Sequence, residues 1–82
     1  MPMYLIAYRS AETGEMIERA EADDRFELAA LINIFSSRLL TGEAEGMTMT
    51  IFNAEVGDII DSGSVEMQEL CGLALEMQGG GT

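Results

Sequence analysis

The sequence predicts an α+β domain: two hairpin-plus-helix units forming a four-stranded, mainly antiparallel sheet with one or two helices on one face. Two observations carry this expectation. The string AEVGDIID at 54–61 nearly repeats AETGEMIE at 11–18, each behind an apolar, strand-like run. After each copy the composition turns helix-forming, with apolar residues at helical spacing. The 82 residues, 48% of them hydrophobic, suffice for one domain with a modest core, expected over 1–78, with QGGGT ending in a flexible Gly-rich tail at 79–82.

The first strand is MYLIAYR. Alternation puts Tyr4, Ile6 and Tyr8 on one face and Met3, Leu5 and Ala7 on the other, so both faces are apolar. One face must meet the helices, and the other is closed by barrel-like curvature or used for association. Sliding the chain by 43 positions superposes Ala11, Glu12, Gly14 and Ile17 on Ala54, Glu55, Gly57 and Ile60. Each copy follows a short polar residue, Ser10 or Asn53, suited to hydrogen-bonding turn backbone, and each glycine supplies a left-handed conformation. Each therefore reads as a hairpin with a four-residue loop, after which Glu15 or Asp58 opens the return strand.

The stretch EADDRFELAALINIFSSRLLTGEAEG is the clearest helix. Asp24 is its N-cap, Glu27 completes a capping box and Gly42 stops it. Leu28, Leu31, Ile32, Phe35 and Leu39 form a stripe assigned to the sheet. Phe26, Ala30 and Ile34 make a second apolar strip on roughly the opposite side, to be covered by the C-terminal segment, a second copy or a partner. In the next strand Met47 and Met49 alternate with threonines, which favours packing on one face. The segment SVEMQELCGLALEMQ has a cap at Ser64 and apolar positions Met67, Leu70, Cys71, Ala74 and Met77. It reads as a helix weakened by Gly72, with a strand from about Val65 as the alternative.

Fifteen carboxylates against four arginines, with neither lysine nor histidine, give a net charge of −11. Such a surface repels nucleic acid and attracts basic protein surfaces, including those that normally hold DNA or RNA. The bland alternative is a solvated acidic shell. Arg9, Arg19, Arg25 and Arg38 are scattered among acids, so no basic groove is expected, and Tyr4, Tyr8 and Phe52 are assigned to the core rather than to base stacking. The absence of histidine removes every His-dependent catalytic arrangement, and no phosphate-binding glycine motif occurs. Cys71, the one cysteine, excludes an intrachain disulfide or multi-cysteine zinc site and is expected to be a buried, inert thiol. Glu55, Asp58 and Asp61 lack the D-x-D-x-D-G alternation of a calcium loop, and a strand would send Asp58 and Asp61 to opposite faces. No enzyme activity, cofactor or metal is expected. No segment reads as a signal peptide or membrane span, and the composition suits a soluble, cytoplasmic protein.

The opening hairpin MYLIAYR–SAETGE–MIERAEA, the helix behind it and the second hairpin TIFNAEVGDIID, in a small, lysine-free, acidic chain, resemble the anti-CRISPR proteins that bacteriophages use against host defences. The resemblance implies stoichiometric, protein–protein inhibition of a nuclease or surveillance complex, without direct nucleic-acid or membrane binding. On that expectation the loop and turn carboxylates Glu12, Glu15, Glu43, Glu45, Glu55 and Asp58 form the contact set, acting in place of nucleic acid on a basic surface, with Phe26 and Ile34 adding apolar contact. The competing expectation is a self-associating structural or accessory protein that dimerises through its second apolar face.

Overall fold

The computed structural model describes residues 2–79 as β1 (Tyr4–Ser10), β2 (Met16–Ala22), α1 (Arg25–Thr41), β3 (Met47–Asn53), β4 (Asp58–Ile59) and α2 (Val65–Gly79). The strands form one open antiparallel sheet in the order β2-β1-β3-β4, with two helices beside it, as the repeated strand–strand–helix pattern predicts. α2 is a helix and not an added strand, and it runs through Gly79, the first residue of the expected tail; 80–82 lie outside the described residues.

β1 and β3 are the central pair, and their first and last residues stand 43 positions apart, as the repeated strings do. Ala7 faces Thr50, also 43 positions on, and Ile6 faces Ile51 while Tyr8 faces Met49. The pairing is thus symmetric about the Ala7–Thr50 pair, as a local twofold axis between two equivalent units requires. Hydrogen bonds obey the same axis. The Ala11 N–H donates to the Gly46 carbonyl at 2.8 Å, and its equivalent, the Ala54 N–H, donates to the Met3 carbonyl at 2.8 Å.

The two turns share their closing backbone hydrogen bond and the side-chain cap that precedes it. The Gly14 N–H bonds the Ser10 carbonyl and the Gly57 N–H bonds the Asn53 carbonyl, each at 2.8 Å. Ser10 Oγ accepts from Glu12 and Thr13 N–H groups, and Asn53 Oδ1 accepts from Glu55 and Val56. Gly14 and Gly57 sit at φ 75° and 82°, the left-handed region where a Cβ is strained. The return strands differ in detail: β4 opens at Asp58 as expected, while β2 opens at Met16, one residue after Glu15, because a bulge at Tyr8/Arg9 shifts the register.

Asp24 caps α1 by accepting from the Phe26 and Glu27 N–H groups at 2.9 Å, and Gly42 ends the helix in the left-handed conformation. The Glu27 carboxylate reaches back to the Asp23 N–H, one residue before the cap, so the box is closed from one position further out. Ser64 caps α2, accepting at Oγ from the Met67 N–H at 3.1 Å.

Tyr4, Ile6, Tyr8 and Ile51 on one sheet face pack with Leu28, Ala29, Ile32 and Phe35 of α1 and Leu70 and Ala74 of α2. The Tyr8 and Phe35 rings meet at 5.6 Å between centroids, and Met47 and Met49 pack against this core as their alternation predicts. Three apolar residues assigned to buried stripes are instead outside. Leu39 is 47% exposed, in the last turn of α1, beyond Phe35, the last buried residue of the helix. Met77 is exposed near the end of α2, and Cys71 is exposed because Leu70 and Ala74 take the inward face and leave it at the rim of the groove between the helices.

Candidate protein-binding surfaces

The six carboxylates singled out in the sequence are all exposed, and the sheet divides them into two groups. β1 ends at Ser10 beside Met47, so the first turn, with Glu12 and Glu15, lies against the loop at 42–46 that carries Glu43 and Glu45. That loop is pinned by Ala44, which is fully buried and donates its N–H to the Arg38 carbonyl at 3.0 Å. Glu43 and Glu45 flank this anchor and stand in solvent. The second turn, with Glu55 and Asp58, lies at the opposite end beside Met3. Six residue steps of a strand separate the ends by about 20 Å.

Local bonding leaves most of these acids free to act on something else. Glu43 stands 3.9 Å from Arg38 Nε, a solvated pair that contributes little. Asp58 Oδ1 accepts from the Ile59 N–H. Among the described residues, no hydrogen bond or ion pair engages the side chains of Glu12, Glu15, Glu45 or Glu55, although the backbone beneath them is fixed by the turn bonds. The second end also holds acids outside the six that the sequence singles out. Glu66, Glu69 and Glu76 line a groove of about 480 Å³ with Tyr4, Arg25 and Leu73. Their spacing of three and then seven places them on one face of α2, a signal available in the sequence.

The two tyrosines register this surrounding charge. Burial raises the Tyr4 phenol above its ordinary value; Glu66 raises it further, Arg25 opposes, and Glu55 and Asp24 add to the rise. Burial likewise raises Tyr8, with Glu18 adding and Arg38 opposing. Both side chains belong to the core, with Tyr4 also lining the groove beside Glu66. Among the described residues no three His, Cys, Asp or Glu side chains gather as a metal ion would need, and Asp61 lies beyond β4, in the turn before α2, where its carbonyl accepts from Ser64.

Phe26 and Ile34 remain more than half exposed, at 52% and 54%. α2 does not cover them, because it packs beside Ile32, Asn33 and Ser36 on another side of α1. The Arg25 guanidinium sits 5.4 Å from the centre of the Phe26 ring, a cation–π contact at the helix start.

The second face of the sheet is open rather than closed by curvature. Leu5, Phe52 and Ile59 are register neighbours and form an apolar row across it, with Glu21 at the β2 end. The next row is Arg19, Ala7 and Thr50, and the one beyond is Met16, Arg9 and Thr48. Small residues in the middle row leave a shallow trough of about 730 Å³ between larger neighbours. Phe52, expected in the core, is therefore a wall of this trough; strand alternation opposite Ile51 decides it. No helix among the described residues is long and apolar enough to cross a membrane.

No protein-family model, characterised protein or solved structure matches this chain.

Proposed function

We propose that this chain is a non-enzymatic inhibitor that binds a basic, nucleic-acid-handling protein surface through its acidic sheet ends, in the manner of phage proteins directed against CRISPR effector complexes. The observation that carries the reading is the set of exposed carboxylates at both ends of the sheet, four of the six without a side-chain partner among the described residues, held on turns whose backbone is fixed by hydrogen bonds. Exposed acids on mobile loops lose entropy when a partner orders them; acids on a fixed turn lose less. Glu12, Glu15, Glu43 and Glu45 form one contact group and Glu55 and Asp58 the other, the two about 20 Å apart along the strands. A target with basic patches at a matching separation is engaged at both, which multiplies the electrostatic gain in encounter rate.

The experiment is capture of bacterial lysate proteins on the tagged chain at about 50 mM salt, a wash at about 500 mM, and identification of what is lost, since screening at the higher salt shortens the reach of exposed charge to a few ångströms. Recovery of a basic nuclease or effector complex released by salt supports the reading. Reversing Glu12, Glu15, Glu43 and Glu45 to lysine should then weaken binding by about a hundredfold or more while the domain stays folded. Undiminished binding by that variant, or retention indifferent to salt, refutes the electrostatic mode.

A further inference from the structure

The groove beside α2 holds two features that neither the core nor the acidic sheet ends account for. The first is the Tyr4 hydroxyl. Tyr4 is 4% exposed, and among the described residues no hydrogen bond engages this hydroxyl. No fully buried polar side-chain atom among them lacks a partner, so the hydroxyl reaches solvent through the groove that Tyr4 lines. An otherwise buried phenol thus turns its polar tip, a donor and an acceptor, into a space of about 480 Å³. The second feature is Gly72, on the wall of the same groove. A helix interior disfavours glycine. Its φ lies outside the left-handed region, and a Cβ added to it would meet no atom within 4 Å. Neither backbone nor packing requires glycine here, and a longer side chain would fill the groove.

The charge of the lining selects a cation. Glu66, Glu69 and Glu76 face one guanidinium, that of Arg25, which forms no ion pair among the described residues and lies by the Phe26 ring. Glu66 is held in place. Its Oε1 accepts at 3.2 Å from Nδ2 of Asn53, itself 6% exposed, which leaves Oε2 for another donor. We infer that the groove is a pocket for one arginine side chain of a partner protein. The guanidinium bridges the Tyr4 hydroxyl and the Glu66 carboxylate, and the stem lies over Gly72 against Leu70 and Leu73.

Arginine suits these groups better than lysine. Its planar fork points donors in several directions, as acceptors on two different elements, β1 and α2, require. It is also more weakly hydrated than an ammonium, so it loses less on meeting a phenol held mostly out of water. The choice of a protein as its source rests on the inhibitor reading, and position supports it. Tyr4 pairs with Asn53, which opens the second turn, so the groove continues the contact group of Glu55 and Asp58. Free arginine would bring its own α-carboxylate into an acidic lining, whereas an arginine within a chain brings none.

The test is an NMR titration of the whole chain at about 50 mM salt with the capped peptide acetyl-Gly-Arg-Gly-amide, its lysine counterpart and free arginine. The expected result is a saturable shift of Tyr4, Glu66 and the α2 residues around Gly72, with Tyr8 unmoved. So small a contact should saturate in the millimolar range, and the lysine peptide should bind about tenfold more weakly. Tyr4→Phe, which removes the hydroxyl and keeps the ring, should weaken the arginine peptide about tenfold. Gly72→Leu should abolish the saturable shifts and raise the melting temperature, because leucine favours the helix that glycine weakens. Shifts that never saturate and spread over all the carboxylates are screening alone and overturn the inference. Unchanged binding by either variant, or lysine matching arginine, does the same. Free arginine binding more tightly than the capped peptide would make this a small-molecule site and overturn the protein partner. The titration needs no target, so its failure leaves the inhibitor reading to the sheet-end variants, and failure of that reading leaves a saturable titration standing.

Discussion

The first hairpin returns through seven residues, Met16–Ala22, and the second, built on the same turn, through two, Asp58–Ile59. The turn chemistry therefore fixes how a strand is reversed and in what register, and has no say in how long the return lasts. The residues beyond the turn set that length. After β2's opening the sequence continues as IERAEA, alternating to the buried Ala22, whereas Ile60 is succeeded by Asp61, Ser62, Gly63 and Ser64, which turn the chain into α2. The short half is tied down differently. Asn53 is 6% exposed and spans two jobs: its Oδ1 accepts from the turn while its Nδ2 donates to Glu66 of α2 at 3.2 Å. Ser10, with one hydroxyl, serves the turn alone.

The widest gap between the halves lies in their helices. Leu28 is fully buried, and the residue 43 positions later is the exposed Cys71. Leu28→Ala should cost about 2–5 kcal/mol, transfer and cavity terms together, enough to unfold a marginal small domain. Cys71→Ala should stay within about 0.5 kcal/mol. Urea unfolding of both variants reads the contrast, and comparable losses would mean that α2 packs with Cys71 inward.

The pattern of what the sequence discloses tracks the range of the interactions. Turns, caps and helix limits depend on residues within a few positions of one another, so Ser10, Gly14, Asp24, Gly42, Asn53, Gly57 and Ser64 declare themselves. Cys71, Leu39 and Phe52 defeat a local reading because an apolar residue's burial depends on which face another element happens to cover. The candidate site is subject to the same limit. Its acids read as one set, and the antiparallel β1–β3 register sends Glu55 and Asp58 to the end away from Glu12, Glu15, Glu43 and Glu45. The shift of 43 contains that answer, since two equivalent units that pair through their first strands about a twofold axis must point their turns in opposite directions.

Alkali probes the halves next, because both tyrosines lie on β1 and their equivalents 43 positions on are Met47 and Ile51. Burial raises both phenols in the folded chain above the ordinary value of 10.0. The unfolded chain therefore loses these protons first as pH rises. The stability linked to the neutral phenols is fully present below pH 10 and is lost as pH climbs from there through the folded values. Phenolate absorbance and circular dichroism monitored together should show ionisation lagging behind that of free tyrosine and coinciding with loss of structure. Tyrosines that titrate normally while the fold persists would place them at the surface.

Asn53→Ala and Ser10→Ala bear on the shared turn. The first should cost about 1–3 kcal/mol, since it strips a buried site of its partner bonds, and the second about 0.5–1 kcal/mol at an accessible site. Denaturant midpoints at constant slope measure both. Equal costs would show that the Asn53–Glu66 tie contributes nothing and that the two turns are energetically alike. Glu66→Gln, which keeps an acceptor oxygen, should retain most of the Asn53 contribution.

The smallest stability effect belongs to the acidic ends, and its smallness is what separates a partner surface from a structural one. Glu43→Gln removes one charge from an exposed pair with Arg38 at 3.9 Å and should shift stability by no more than about 0.5 kcal/mol. Glu55→Gln, with no side-chain partner among the described residues, should match it or stabilise slightly by relieving repulsion in a chain at −11. If carboxylates at both ends are there for a target, the same substitutions should weaken capture of that target while leaving the melting temperature where it was. Were the substitutions at the two ends instead to change melting and leave capture alone, the acids would belong to the fold. An effect on capture from Glu43 and not from Glu55 would assign the contact to the first end, and the two halves would then differ in function as they do in strand length.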